Sequence, residues 1–110
     1  MGLSADLLRG YTDAIILRRL AGGESYGYQI NKEITERSGG AVEMKEATLY
    51  TAFRRLEQGG LITSRWGDEA SGARRRYYTL TDGGRRRLEQ DCAAWQETRL
   101  LLDTLLKEDE

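Results

Sequence analysis

The sequence predicts a mainly α chain with one small β-hairpin, an α+β fold, carrying an extra long helix at its C-terminal end. Three observations point there. Apolar residues recur at helical spacing in three short segments before Gly60. Two β-favouring runs then flank a polar loop, and an apolar stripe runs along the last quarter of the chain.

The first segment, about Leu3 to Ala21, carries Leu7, Leu8, Tyr11 and Ile15, with Ala14, Leu17 and Leu20, at helical intervals. The second runs from about Tyr26 to Arg37. Ser25 is its expected N-cap, and Tyr26, Ile30 and Ile34 form a narrow inward stripe. Ala41 to Met44 reads as a short extended bridge. The third segment, Glu46 to Gln58, places Leu49, Phe53 and Leu56 on one face. Glycine pairs (Gly22-Gly23, Gly39-Gly40, Gly59-Gly60) follow these segments, where glycine readily ends a helix.

After Gly60 the chemistry changes. Leu61-Ile62-Thr63-Ser64-Arg65-Trp66 and Arg76-Tyr77-Tyr78-Thr79-Leu80-Thr81 favour strands, and the polar, glycine-bounded run from Gly67 to Ala73 joins them as a hairpin. Thr81 or Asp82 can cap a final helix from about Gly83 to Lys107. Three helices and a hairpin are the order of a winged helix-turn-helix. The expected division is therefore residues 1–82 as that unit and residues 83–110 as a helix needing its own burial partner.

Composition excludes several classes. The chain has no histidine and one cysteine, Cys92, so neither an internal disulfide nor a zinc cluster can form within it. No P-loop, GxGxxG, GxSxG or HExxH pattern occurs, so no enzyme activity, cofactor or metal is expected. The longest uninterrupted apolar stretch is Ala14–Leu17, far short of a membrane span of roughly 20 residues, and no signal peptide is visible. A reducing cytoplasm and no membrane partner fit these features.

The net charge of −1 conceals segregation: −1 over residues 1–43, +5 over residues 44–87 and −5 over residues 88–110. A basic middle is the footprint of a polyanion partner. At about 100° per residue, the face of the third segment opposite its apolar stripe shows Ala47, Thr51, Arg54, Arg55 and Gln58, flanked by Thr48 and Tyr50. Small residues permit close approach to base edges, arginines reach guanine or phosphate, and hydroxyls suit phosphate. Arg74-Arg75-Arg76 starts the second strand, with Arg74 and Arg76 on one face and Arg75 on the other, suited to tracking a phosphate backbone. Arg85-Arg86-Arg87 reads instead as solvated surface. The competing reading is a winged helix for protein–protein assembly, whose basic patch meets an acidic partner. Salt-sensitive binding to a palindromic duplex, absent for a scrambled one, separates the two.

On the last helix Leu88, Cys92, Trp95, Arg99, Leu102 and Leu106 step by 4, 3, 4, 3 and 4, a heptad-like seam broadened by Leu101 and Leu105. A helix of this kind left single exposes leucines and a tryptophan, so a homodimer is expected through Leu88, Cys92, Trp95, Leu102 and Leu106. Cys92 is expected to be a small apolar filler rather than a redox sensor.

The run Glu46-Ala47-Thr48-Leu49-Tyr50-Thr51-Ala52-Phe53-Arg54-Arg55-Leu56-Glu57 resembles the T-L-Y-x-x-L-x-R-L-E signature of the PadR family of transcriptional regulators. Gly60-Leu61-Ile62, the stretch from Gly72 to Thr81, and Tyr26-Gly27-Tyr28 are similar to other parts of that family, so the likeness spans nearly the whole chain. It departs at Lys45-Glu46-Ala47, where members often carry Ser-Pro-Gly, and at Thr51, often proline. Lys45 is a poor cap but well placed for a phosphate. The resemblance implies a dimeric repressor presenting two recognition helices to a pseudo-palindromic operator in double-stranded DNA. It also implies, by likeness to shorter multidrug-sensing members, that paired copies of Trp95 flank an open centre for planar aromatic molecules; the plainer alternative is that Trp95 fills a dimer core. Ala14 and Leu17 are the candidate walls of such a centre. Arg99 departs from the acidic residue a cationic drug would favour, and Asp13 is the candidate source of negative charge.

Overall fold

A computed structural model describes residues 8–67 and 74–109. Most of the predicted hairpin loop and the start of the first predicted helix, Leu7 included, lie outside the described residues. The elements are α1 (Thr12–Ala21), β1 (Ser25–Tyr26), α2 (Gly27–Arg37), α3 (Glu46–Gln58), β2 (Ile62–Trp66), β3 (Arg76–Leu80) and α4 (Asp82–Leu106). The mainly α fold with a small sheet agrees with the sequence pattern.

Amphipathic spacing explains the core. Ile16, Leu17 and Leu20 of α1, Ile30 and Ile34 of α2, and Leu49, Ala52, Phe53 and Leu56 of α3 bury their side chains together. Ile62 and Tyr78 close this core from the sheet, where the Tyr78 ring stacks on Phe53 with centroids 4.0 Å apart. Leu88 caps it from α4. Burying each such side chain contributes roughly 1.5–3 kcal/mol.

Local differences from the sequence reading have identifiable causes. The first helix is interrupted: a turn over residues 9–11 precedes α1, at Gly10, the residue with the weakest helix propensity there. Ser25 is not a cap. It pairs with Tyr78 as part of β1, which makes the hairpin a three-stranded antiparallel sheet of order β1-β3-β2, and Tyr26 takes the N-cap position without a side-chain bond. Residues 41–44 are irregular rather than a strand. The Asn31 amide clamps them instead, donating to the Met44 carbonyl (2.8 Å) and accepting from the Met44 N–H (3.1 Å).

The junction into α4 follows the expected chemistry. Thr81 is the N-cap; its hydroxyl accepts from the Gly84 N–H (2.9 Å) and donates to the Gly60 carbonyl (2.7 Å). Gly84 lies directly on the Leu61 carbonyl, so any Cβ there would overlap it. Past Cys92 the helix leaves the core and every residue to Asp109 is exposed.

Candidate nucleic-acid interface

The apolar stripe of α3 turns its other face outward by default. Lys45, Ala47, Thr48, Thr51 and Arg54 are exposed together on that face. Lys45 is the N-cap residue; it is exposed and makes no side-chain capping bond, as expected of an ammonium that can only donate. Tyr50 leans edge-on against Phe53, with centroids 5.5 Å apart. Its hydroxyl lies against Gly27 at the start of α2; a Cβ on that glycine would come within 2.6 Å of it.

Arg55 behaves differently from Arg54. Its guanidinium pairs in a two-pronged fashion with the Asp13 carboxylate of α1, and this hydrogen bonding raises the Arg55 pKa above its usual value. Asp13 also faces Arg87 of α4 at 4.0 Å, and Arg87 pairs with Asp91 at 3.2 Å. Asp13 therefore joins three helices.

The wing arginines are sorted by strand alternation. Arg74 and Arg76 lie over the Trp66 ring, 5.0 and 5.3 Å from its centroid, while Arg75 lies over Tyr26 at 4.6 Å. The register Trp66↔Arg76 puts the first group on the face turned towards α3, and Tyr26↔Tyr77 puts the second on the opposite face. On that opposite face Arg65 donates to Glu24 (2.7 and 3.0 Å), and the Arg65 guanidinium holds the Glu24 carboxyl below its usual range. Burial pushes the Tyr78 phenol up.

Between α3 and the sheet lies an open cleft of about 590 Å³, lined by Tyr28, Tyr50, Arg54, Glu57, Trp66, Arg74 and Arg76. Cations and aromatic faces in one groove suit a sugar–phosphate backbone. Two of its exposed aromatic residues were not singled out from sequence: Tyr28, 71% exposed, and Trp66, 52% exposed. The available signal for Trp66 was an aromatic at the end of a strand beside an arginine-rich partner strand. Tyr28 carried no signal beyond the Tyr26-Gly27-Tyr28 likeness.

The candidate ligand and dimer residues divide as well. Trp95 is 42% exposed and meets Tyr11, the residue just before α1, edge-on, with centroids 5.5 Å apart. Ala14 is half-buried, but Leu17 is fully buried in the core and presents no wall. Arg99 is exposed and donates to Gln96 (2.7 Å). Leu88 is 3% exposed, so it adds almost no area to any further interface. Cys92 packs on the core edge, where its sulfur accepts from Arg18 at 3.3 Å. Trp95, Leu102 and Leu106 are exposed, as are Leu100, Leu101 and Leu105. Among the described residues no cluster of metal-ligating side chains occurs, and no helix is long and apolar enough to cross a membrane.

Comparison with known proteins gives a consistent answer. The family described as "Transcriptional regulator PadR-like family" matches residues 16–90. A transcriptional regulator from Clostridium thermocellum is 42% identical, with a TM-score of 0.88 over 96% of this chain and 99% of that one. A PadR family transcription regulator from hypervirulent Clostridium difficile is 36% identical, with a TM-score of 0.79 over 88% of this chain and 99% of that one. An uncharacterized protein of Lysinibacillus sphaericus is 37% identical over 103 residues, 94% of each chain.

Proposed function

Because the chain belongs to the PadR-like family of transcriptional regulators, which are DNA-binding proteins and not enzymes, we propose that it is a cytoplasmic, homodimeric repressor of a pseudo-palindromic operator. The single observation that carries this reading is the cleft between α3 and the wing, where Arg54 and the wing arginines converge beside aromatic faces. Ala47, Thr51 and Arg54 read bases; Lys45, Thr48, Tyr50, Arg74 and Arg75 position phosphates. Arg55, turned to Asp13, orients α3 instead of reaching into the groove. The far half of α4 supports the dimer, since Leu105 and Leu106 are 75% and 80% exposed and a second copy would bury them. Half-sites would then lie roughly 34–36 Å apart.

The test is selection of duplexes from a randomised pool, followed by binding titrations over a range of salt. A palindromic consensus, bound far tighter than its scrambled version by a dimer in sedimentation, supports the proposal. Equal binding to both duplexes, or a stable monomer at micromolar concentration, overturns it.

A planar aromatic molecule is the proposed releasing ligand, held between the Trp95 rings of the two copies. Tyr11, just before α1, packs edge-on against that ring and would form one wall beside the ligand. Asp13 is engaged by Arg55 and Arg87, so it offers such a ligand little charge. Trp95→Ala should keep the dimer but lose affinity for a planar dye, followed by the dye's own signal. Stacking contributes roughly 0.5–1.5 kcal/mol beyond burial, so a loss of at least about twofold is expected. Unchanged affinity would reduce Trp95 to a packing residue.

A further inference from the structure

Arg76, the first residue of β3, and Arg74, just before that strand, both lie over Trp66 but are held in different ways. Arg76 donates through Nε to the Ser64 hydroxyl at 3.0 Å, and that hydroxyl donates onward to Glu57 Oε2 at 2.6 Å. A second Arg76 nitrogen lies 3.6 Å from Glu57 Oε1. Glu57 belongs to the last turn of α3, whereas Ser64 and Arg76 belong to β2 and β3. Arg74 stacks on Trp66, and among the described residues it has no ion pair.

An acidic residue inside a cleft built for phosphate opposes the cleft's charge. Glu57 is thus anomalous unless it does something else there. From this geometry we propose that Glu57 and Ser64 clasp Arg76 to the end of the recognition helix. Arg76 is then a positioning residue that fixes the wing relative to α3, and Arg74 is the one of the two that meets phosphate. The clasp ties the end of α3 to two strands that already pair with each other through the sheet ladder, and chains of charge-assisted hydrogen bonds reinforce one another. Bound to two partners, Arg76 cannot also present its full charge to DNA. This inference deepens the DNA-binding reading and rests on it.

The experiment measures affinity and salt slope on the selected duplex for wild type, Arg74→Ala, Arg76→Ala, Glu57→Gln and Ser64→Ala. Arg74→Ala should lower the slope by about 1, the signature of one lost phosphate contact. Arg76→Ala should weaken binding about three- to tenfold with the slope unchanged. Glu57→Gln carries the decisive sign. Removing a negative charge next to DNA strengthens binding if the residue is a bystander, but the clasp requires it to weaken binding by a similar factor. The combination with Arg76→Ala should then be no worse than either change alone. Ser64→Ala, which deletes only the bridging hydroxyl, should act in the same direction with a smaller effect.

Tighter binding and a steeper slope in Glu57→Gln would mean that Arg76 had been released to a phosphate, and would overturn the clasp. A slope lowered by about 1 in Arg76→Ala would overturn it equally. If wild type binds no duplex selectively, the DNA reading itself falls and the clasp with it. Selective wild-type binding with unaltered variants removes the clasp alone.

Discussion

The outer face of α3 with its wing and the far half of α4 are both exposed, yet their chemistry is opposite. On the first, the exposed groups include Lys45, Thr51, Arg54 and the wing arginines, which water solvates well; Arg54, Arg74 and Arg76 share the cleft with the rings of Tyr28, Tyr50 and Trp66. On the second they include Trp95, Leu101, Leu105 and Leu106, which water solvates poorly. The first surface is stable alone and suits a polyanion; under the proposed dimer the second is incomplete until another apolar surface covers it. Exposure by itself therefore says little about function. The sign of the solvation free energy tells the two apart.

The largest effect is expected where the incomplete surface is attacked. Leu105→Glu with Leu106→Glu should dissociate the proposed dimer, because each buried leucine contributes roughly 1.5–3 kcal/mol and symmetry counts each change twice. Sedimentation should show a monomer, and affinity for the palindrome should collapse towards that of one half-site. The melting temperature of the helical core should hold, since neither leucine touches it. A dimer that survives both changes would mean that the far half of α4 is ordinary surface.

On the polar surface the losses should be smaller and selective. Arg54→Ala should cost about 1–3 kcal/mol on the selected duplex and much less on a scrambled one. Equal losses on both would make Arg54 a phosphate contact rather than a base reader.

Asp13→Asn sharpens the comparison from between the two regions, since Asp13 connects α3 to α4 through Arg55 and Arg87. The Arg55 side chain is largely solvent-facing, so screening limits the loss of stability to roughly 0.2–1 kcal/mol in a denaturant titration. Releasing Arg55 should also raise the salt slope for DNA. An unchanged slope would show that Arg55 cannot reach a phosphate even when free.

The smallest effect concerns pH. Arg65 holds the folded-state Glu24 carboxyl below its usual value of 4.5. A depressed folded pKa contributes stability above the unfolded value and loses it as pH falls through the folded one. Glu24→Gln should therefore flatten the acid limb of a melting-temperature profile from neutral to about pH 3. Identical acid limbs would remove Glu24 from any account of acid stability.

Much of this was legible in the sequence. The stripes Ile30/Ile34 and Leu49/Phe53/Leu56 marked two core faces, and the Arg74/Arg75/Arg76 alternation forecast which side of β3 each arginine takes. β1 was not legible, because two residues, Ser25 and Tyr26, carry no periodicity of their own; their pairing needs β3 beside them. Leu88 lay on an apolar seam continuous with Leu102, and nothing in that spacing separates a residue capping its own core from one left for a partner.

The sequence by itself determined which faces are apolar, where most of the helices and the hairpin strands run and where positive charge accumulates, because these depend on residues a few positions apart. Only the tertiary structure decided which charge meets which. Arg54 and Arg55 are adjacent and chemically identical, but one faces solvent and the other Asp13, 42 positions away. Arg74 and Arg76 both lie over Trp66, but only the second reaches Glu57 and Ser64. The physical reason is reach. A guanidinium on a flexible stem is satisfied by whichever carboxylate the packed core brings within a few ångströms, and that is a property of the assembled helices and sheet.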